Sequence, residues 1–514
     1  MRTNQIGLPL IFFFFVFVAL CESSATNKLN TLGNTSTITA TDNYGITSTQ
    51  LRASETPSFS STPSPFPTFN PHEPYLILKK HFGTGSLLLL NGSGTGRKEI
   101  QLPRGVYIPD LSHAISPDGK WLAFHTSSSD YPYDLTLNLL SIPEGNIFPI
   151  SKLLSEGYPE NLSAVSDFYQ QAGYDPLAWE TLKWMVFDRA IYAFDWSPNS
   201  QSLAFTGQLD GPSSDLYIFD LHNNKITRKT DDLRILSGIS WSPDGMWLVL
   251  HNAIPGLNNI GKTLHLINAN TQTIESSPIL EEGFWWKGEG WLTEKDYLIS
   301  GSPDGGDLYG LRILNVEKGI MTDVWPGTYF SYAVDPENQV IAISGASNLP
   351  SEGSPEGLGT YLVTFQGEKS QISEDIFWSL FYINDNNTRF LGTDGEQIVT
   401  ISRIGNISPF AEDTEEAILN ILKSPDKQWF ILYEEEHGRA TMTLYAADGH
   451  PVRIFPDIKV TGAVWKHDSS GIIVTTGSEL FSISIPDGQL IKIDQCNNEE
   501  EYCWYSSRNL IWIQ

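Results

Sequence analysis

The chain has 514 residues, with 32 Lys and Arg against 60 Asp and Glu and a net charge of −28. That balance excludes nucleic acid and anionic membrane surfaces as partners, because both select clustered Lys and Arg. Trp 15, Tyr 20 and Phe 26 supply bulky apolar side chains for a large core of packed sheets.

In chain order, residues 1–20 (MRTNQIGLPLIFFFFVFVAL) place one basic residue, Arg2, ahead of an apolar run from Ile6 to Leu20. The run is short for a membrane span of about 20 residues and reads as an export signal. Cys21 follows at once, and VALC resembles a bacterial lipoprotein signal, which implies lipidation of Cys21 as the mature N-terminus. Leu20 departs from that pattern, where a small residue is preferred. Ser23–Ser24–Ala25 offers ordinary cleavage as the alternative. Either route exports the mature domain, to a cell envelope or beyond, with the membrane touched only through the N-terminal segment.

Residues 21–72 read as a tether. Over 22–70, 20 of 49 residues are Ser or Thr, and prolines gather at 57–71. Such a stretch buries too little apolar surface to fold. As a flexible coil it spans ~40 Å.

From 73 to 514 one phrase recurs. It reads ISPDGKWLAF at 115–124, WSPNSQSLAFT at 196–206, WSPDGMWLVL at 241–250 and SPDKQWFIL at 424–432. Looser copies are WLTEKDYLIS (291–300), VDPENQVIAI (334–343), INDNNTRFLG (383–392) and WKHDSSGIIV (465–474). Ser116, Pro117, Asp118 and Gly119 suit the four positions of a tight turn: Pro presets φ, Asp bonds local backbone and Gly tolerates positive φ. An apolar strand enters each turn, an alternating strand leaves it, and two more strands follow in most units, as in DLYIFDL (215–221) and LFSISI (480–485). Four strands per 40-odd residues is the size of a propeller blade, and one such unit cannot bury its own apolar face. The expected fold is all-β, a single β-propeller of four-stranded blades. Eight blades fit the spacing best and seven or nine are the alternatives, because the unit at 378–412 reads as degenerate.

The three strands at 75–102 lack a turn phrase, and CWYSSRNLIWIQ (503–514) looks like missing inner strands. The expectation is ring closure between the two ends of the domain, which removes exposed edges. Pro117 and Pro198 lie farther apart than one blade requires, and the excess at about 151–190 is expected to be a two-helix insertion. If Cys21 carries lipid, Cys496 and Cys503 remain as a pair for a small disulfide loop, with free thiols as the alternative.

These units resemble the WD40-like propeller repeat of the TolB type, shared with the propeller domains of prolyl oligopeptidases. The resemblance covers about 75–514 and is most specific at Ser116–Phe124, Trp196–Phe205 and Trp241–Leu250. It implies a propeller and says little of function, since this scaffold hosts many. No Gly-x-Ser-x-Gly elbow is present.

Propeller geometry puts the Ser-Pro-Asp-Gly turns on one face and the longer connections on the other, where binding surfaces concentrate. Candidate ligand-contacting residues there are Tyr131 and Tyr133 beside Asp130 and Asp134, Trp179 and Trp184 in the insertion, Trp285 and Trp286 in the cluster Phe284–Trp291, and Glu435 with His437. Each has a plainer alternative: a solvated loop, helix docking, inner-strand packing and a charged hairpin tip. The scattered histidines, Asp304–Asp307 and GSGTGR (92–97) lack the registers of metal or phosphate loops. No cofactor or metal is expected and a monomer is expected. The function expected is non-catalytic binding or scaffolding of a protein, peptide or glycan. The alternatives are a carboxylate-dependent hydrolase or lyase at the channel mouth, or an envelope subunit docking through 151–190.

Overall fold

The computed structural model describes residues 69–513 except 81–84, 93–95, 109–110, 128–134, 155–192, 210–214, 232–235, 253–263, 272–273, 276–284, 303–308, 348–356, 384–387, 394–397, 403, 412–419, 437–438, 448–449, 457, 477 and 496–509. The signal, Cys21, the tether up to 68, the expected helices of the insertion and Cys496 with Cys503 therefore lie outside the described residues.

Almost every described element is a strand, and every ladder between described strands is antiparallel; all but one of them join chain neighbours. The exception closes a ring: Tyr75–Lys80 pairs with Leu510–Ile513, in the register Tyr75↔Ile513 to Leu78↔Leu510. One C-terminal strand, innermost in its sheet, completes a blade whose other three strands come from Tyr75–Gln101.

Among the described residues there are eight hydrogen-bonded sheets, and they hold nine blades, one more than the favoured count and one of the two alternatives. Seven are separate four-stranded sheets, and the seven-stranded one contains two units. These share Ile320–Asp335, a 16-residue strand whose first part ends one blade and whose second part begins the next. Residues 378–412 are no degenerate unit: Ser379–Tyr382, Thr388–Thr393, Ile398–Ser402 and Ile407–Ala411 make a full blade.

In chain order, blade 1 is the closing sheet. Blade 2 begins at Val106–Tyr107, blade 3 at Phe194–Trp196, blade 4 at Leu236–Trp241 and blade 5 at Trp285–Trp291. Blade 6 begins in the second half of Ile320–Asp335, blade 7 at Ser379–Tyr382, blade 8 at Asn420–Lys423 and blade 9 at Gly462–Trp465. The outer strand of blade 2 is Ile147–Lys152, so Ser151 and Lys152, at the start of the expected insertion, belong to the sheet. Blade 2 also departs from pattern where a strand is expected to enter its turn. A four-residue helix, Leu111–Ala114, stands there, burying Leu111 and Ala114.

The core lies in the seams between blades. Alternate residues of each strand face opposite neighbours, so middle strands read as continuous apolar runs, as in SLLLLN at Ser86–Asn91, buried throughout. Leu203 and Phe205 pack with blade 2, while Ala204 packs with Trp241, Leu248 and Leu250 of blade 4. The series runs round the ring to the last seam, where Ile473 and Leu480 of blade 9 meet Leu76, Leu78, Leu510 and Trp512 of blade 1. Lys466 Nζ adds a bond to the Gly92 carbonyl (3.1 Å), and Arg97 pairs with Asp494 (3.1 Å), both across that seam.

The recurring phrase encodes two devices. Within a turn, Ser116 Oγ donates to Asp118 Oδ1 (2.7 Å), Asp118 Oδ1 accepts from Lys120 N (3.2 Å), and Ser116 Oγ accepts from Trp121 N (3.0 Å). The scheme repeats at Ser197–Asn199, Ser242–Asp244 and Ser424–Asp426. Gly119 sits at φ +71, and its Cα approaches the Ile513 side chain so closely that a Cβ would lie 2.3 Å from it. Ser200 and Ser469 occupy the same turn position at φ 59 and 58 without glycine. Their hydroxyls explain the choice, since each accepts the Asp N–H of the preceding blade's turn: Asp118 N at 2.9 Å and Asp426 N at 3.0 Å.

Between blades, the Trp that ends the first strand staples backwards. Trp196 Nε1 donates to Ala114 O (2.9 Å), Trp241 to Asp195 O (3.1 Å) and Trp465 to Leu422 O (3.1 Å). Trp291 donates to Ser240 Oγ (3.0 Å), so its role is the plainer one of seam packing.

Candidate functional site at the channel mouth

First strands run from the loop-rich face inward and end in the tight turns, so their opening residues line the channel mouth on the loop-rich side. The described ends of second strands and starts of third strands, as at Ser127 and Leu135 or Gly207 and Asp215, fall on that side.

Three neighbouring first strands break their ladders there, that of blade 4 between Leu236 and Gly238. In blade 5 the register slips between Gly288 and Gly290, leaving Glu289 as the extra residue. In blade 6 it slips between Tyr329 and Ser331, leaving Phe330. A bulge releases one residue from pairing and re-aims its side chain, which is why bulges gather beside functional sites. Gly290, at φ +139, permits the blade 5 bulge at a conformation other residues avoid.

Glu289 and Phe330 line one pocket of about 340 Å³ with Tyr329, Ser331, Tyr332, Ser379, Leu380 and Phe381. Glu289 Oε1 accepts from Ser300 Oγ (2.6 Å) and Oε2 accepts from Tyr332 OH (3.1 Å), so its carboxyl is aimed by two hydroxyls. The Tyr329 and Tyr332 rings meet edge-on at 5.5 Å. Burial pushes the Tyr329 hydroxyl up to about 12, and it lies beside Ser300 and Glu289 without a hydrogen bond of normal geometry. Burial, then the Glu289 charge, raises Tyr332 as well. Both phenols therefore stay protonated donors.

At the rim, Phe330 (41% exposed) and Trp378 (57% exposed) stand edge-to-face at 5.1 Å. Large aromatics seldom remain open to water in pairs. Ser331 Oγ donates to Phe377 O (2.7 Å), which fixes blade 6 against blade 7 directly beneath them.

In the seam between blades 3 and 4, Asp195 on the first strand of blade 3 accepts from Trp196 N (3.0 Å) and Trp241 N (2.9 Å). Burial nonetheless raises its carboxyl to about 6, with those bonds and the His113 charge opposing. A larger polar cleft of about 530 Å³ opens on the turn face between blades 3 and 4, beside Asp220, Lys229, Asp244 and Asn270. Lys229 Nζ is bound there to Ala269 O (2.8 Å) and Thr271 O (3.3 Å), so its charge serves the seam.

Of the residues expected from sequence, Tyr131, Tyr133, Trp179, Trp184 and His437 lie outside the described residues. Trp285 and Trp286 open the strand that carries Glu289, and Glu435 pairs with Ala440 near a hairpin tip; only their backbone is described. Glu289, Phe330, Tyr332 and Trp378 were not anticipated. The signal for the first was present, since a glycine on each side of an acid within a strand (Gly288-Glu289-Gly290) marks a bulge. Among the described residues no group of three or more His, Cys, Asp or Glu could hold a metal ion, and no helix is long and apolar enough to cross a membrane.

No family model and no curated protein matches the chain. Solved structures do. A eukaryotic initiation factor aligns at 9% identity over 85% of this chain and 99% of the other, with a TM-score of 0.49. An oligogalacturonate lyase in complex with manganese aligns at 13% over 59% and 77%, at 0.34. TolB from Acinetobacter baumannii aligns at 11% over 74% and 78%, at 0.28. All three scores lie below 0.5, and the propeller assignment rests on the chain's own strand pairing.

Proposed function

We propose that this protein is a non-catalytic binding propeller, exported and held at a cell envelope through lipid on Cys21, which recognises a protein, peptide or glycan on its loop-rich face. The observation that carries the reading is the exposed Phe330–Trp378 pair above a pocket that holds an oriented carboxyl. Exposed aromatic pairs at a concave mouth are binding features, and loops on a rigid repeat scaffold supply the remaining contacts. The reading is tested by capture from an envelope extract with the exported chain, beside Phe330→Ala/Trp378→Ala. Loss of the captured species in the variant supports it. Equal capture places the binding surface elsewhere.

One observation favours a second reading, a carboxylate-dependent hydrolase or lyase. The carboxyl of Asp195, in the seam between blades 3 and 4, is raised to about 6, a value suited to a general acid. Turnover of a peptide or polysaccharide panel, lost in Asp195→Ala, would establish that activity.

A further inference from the structure

Resting on the binding reading above, we propose that the mouth takes the neutral end of a glycan, one hexopyranose ring packed on the exposed surface of Phe330 and Trp378 with its hydroxyls turned to the pocket beside them. The two aromatic rings touch each other, edge to face with 66° between their planes, so a ligand meets their outer surface and does not pass between them. At 41% and 57% exposed, both keep apolar area open to water. A hexopyranose with equatorial hydroxyls carries the matching surface. Its axial C–H bonds form an apolar face, weakly positive against the electron-rich face of an aromatic ring.

The pocket selects hydroxyls over charge. Among its described lining residues Glu289 alone is charged, and the chain already satisfies that carboxyl. It accepts from Ser300 Oγ (2.6 Å) and Tyr332 OH (3.1 Å) and has a further partner. A cation therefore finds no uncompensated carboxylate. An anion finds no Lys or Arg among the described lining residues and a net charge of −28 around it. What remains are hydroxyls with lone pairs to spare. Ser331 Oγ donates to Phe377 O and Tyr332 OH donates to Glu289, and each can still accept; Ser379 adds a third hydroxyl. Such acceptors suit the several O–H donors of one sugar ring, where a peptide offers one backbone N–H per residue. The volume of about 340 Å³ lies at the small end of ligand pockets, suited to the last ring of a chain rather than a length of it.

The test titrates the exported chain by calorimetry with three neutral β-linked sugars, cellotetraose, galactotetraose and mannotetraose. Anionic tetragalacturonate, the cationic tetramer of glucosamine, and neutral and basic peptides run alongside. The proposal expects saturable binding of at least one neutral tetraose and several-fold weaker binding of the charged saccharides. Its affinity should hold as salt rises from about 0.05 to about 0.5 M. Trp378→Ala should weaken binding roughly tenfold at a near-wild-type melting temperature, and Trp378→Phe should restore part of it. Three results overturn the proposal: no neutral saccharide binds, a charged one binds more tightly with steep salt dependence, or Trp378→Ala leaves the affinity untouched. If a peptide binds instead and Trp378→Ala removes it, the glycan assignment falls and the mouth stands as the binding site. If neither peptide nor saccharide responds to Phe330→Ala or Trp378→Ala, the binding reading of the mouth falls with it.

Discussion

At the turn face, the loops 116–119, 197–200, 242–245 and 424–427 repeat one scheme of hydroxyl, carboxyl or amide, and backbone N–H. At the opposite mouth, blades 5 and 6 break their ladders to release Glu289 and Phe330, and Trp378 stands open beside them. The repeat is thus kept in the turns of blades 2, 3, 4 and 8 and abandoned in the opening residues of blades 5 and 6. Natural chains depart from local rules where function demands it. The turn face should therefore govern stability and the mouth should govern binding, and substitutions can separate the two.

The strongest challenge to the ring is its closing strand. Leu510, Trp512 and Ile513 are each at most 8% exposed, and without them Tyr75–Lys80 becomes an open edge. At about 1.5–3 kcal/mol for each large apolar side chain, deleting residues 510–514 should cost more than about 5 kcal/mol. Calorimetry should show the whole domain melting far lower or failing to fold. A deletion variant that melts like the intact chain would mean that the seams alone hold the ring.

Next come the staples. Trp465→Ala removes an indole that fills the seam between blades 8 and 9 and bonds Leu422 O, a loss of about 3–5 kcal/mol. Trp465→Phe keeps most of the volume and loses the N–H, and about 1–2 kcal/mol is expected. If both variants cost the same in urea titrations, the hydrogen bond contributes nothing beyond packing.

Asp195 gives the comparison a pH axis. Its carboxyl ordinarily titrates at 3.8 and is raised to about 6 in the fold, so the folded state binds the proton more tightly than the unfolded. The resulting stability is fully present below 3.8 and is lost as pH rises through 6. Wild type should therefore gain on Asp195→Ala as pH falls from 7 to 5, by about 1–3 kcal/mol at most. Asp118 behaves oppositely. Against a desolvation penalty, Ser116 and the Lys120 backbone hold its carboxyl below the usual range, so its contribution is lost on acidification. Parallel stability curves for wild type and Asp195→Ala between pH 5 and 7 would place the Asp195 carboxyl at its ordinary value.

The turn face was the legible part of the sequence. Ser, Pro, Asp and Gly act through local backbone chemistry that neighbours in sequence reveal, and so the repeat, the first strands and the pairing of the two ends could all be read. The shared 16-residue strand between blades 5 and 6 left no such mark, because Pro326 and Gly327 look like a break in the chain while the ladder runs on beside them. The role of Trp as a backward staple also depends on a carbonyl some 40 to 80 positions away, such as Ala114 for Trp196. The mouth was illegible for the same reason. Phe330 and Trp378 come from different blades and meet only after the ring has formed, and the aromatic-rich line at 284–291 drew attention to Trp285 and Trp286 instead.

The smallest stability effect is expected at that mouth, where smallness is itself the informative outcome. Trp378 is 57% exposed and packs edge-to-face on Phe330. Exposed substitutions away from cavities, caps and buried polar networks usually stay within about 0.5 kcal/mol. An edge-to-face aromatic pair adds about 0.5–1.5 kcal/mol when intact. Trp378→Ala should therefore shift stability by no more than about 1 kcal/mol in urea titrations, far below Trp465→Ala, although both remove the same side chain. A cost of 3 kcal/mol or more would make the rim aromatics part of the seam between blades 6 and 7, and the division between a structural turn face and a binding mouth would no longer hold.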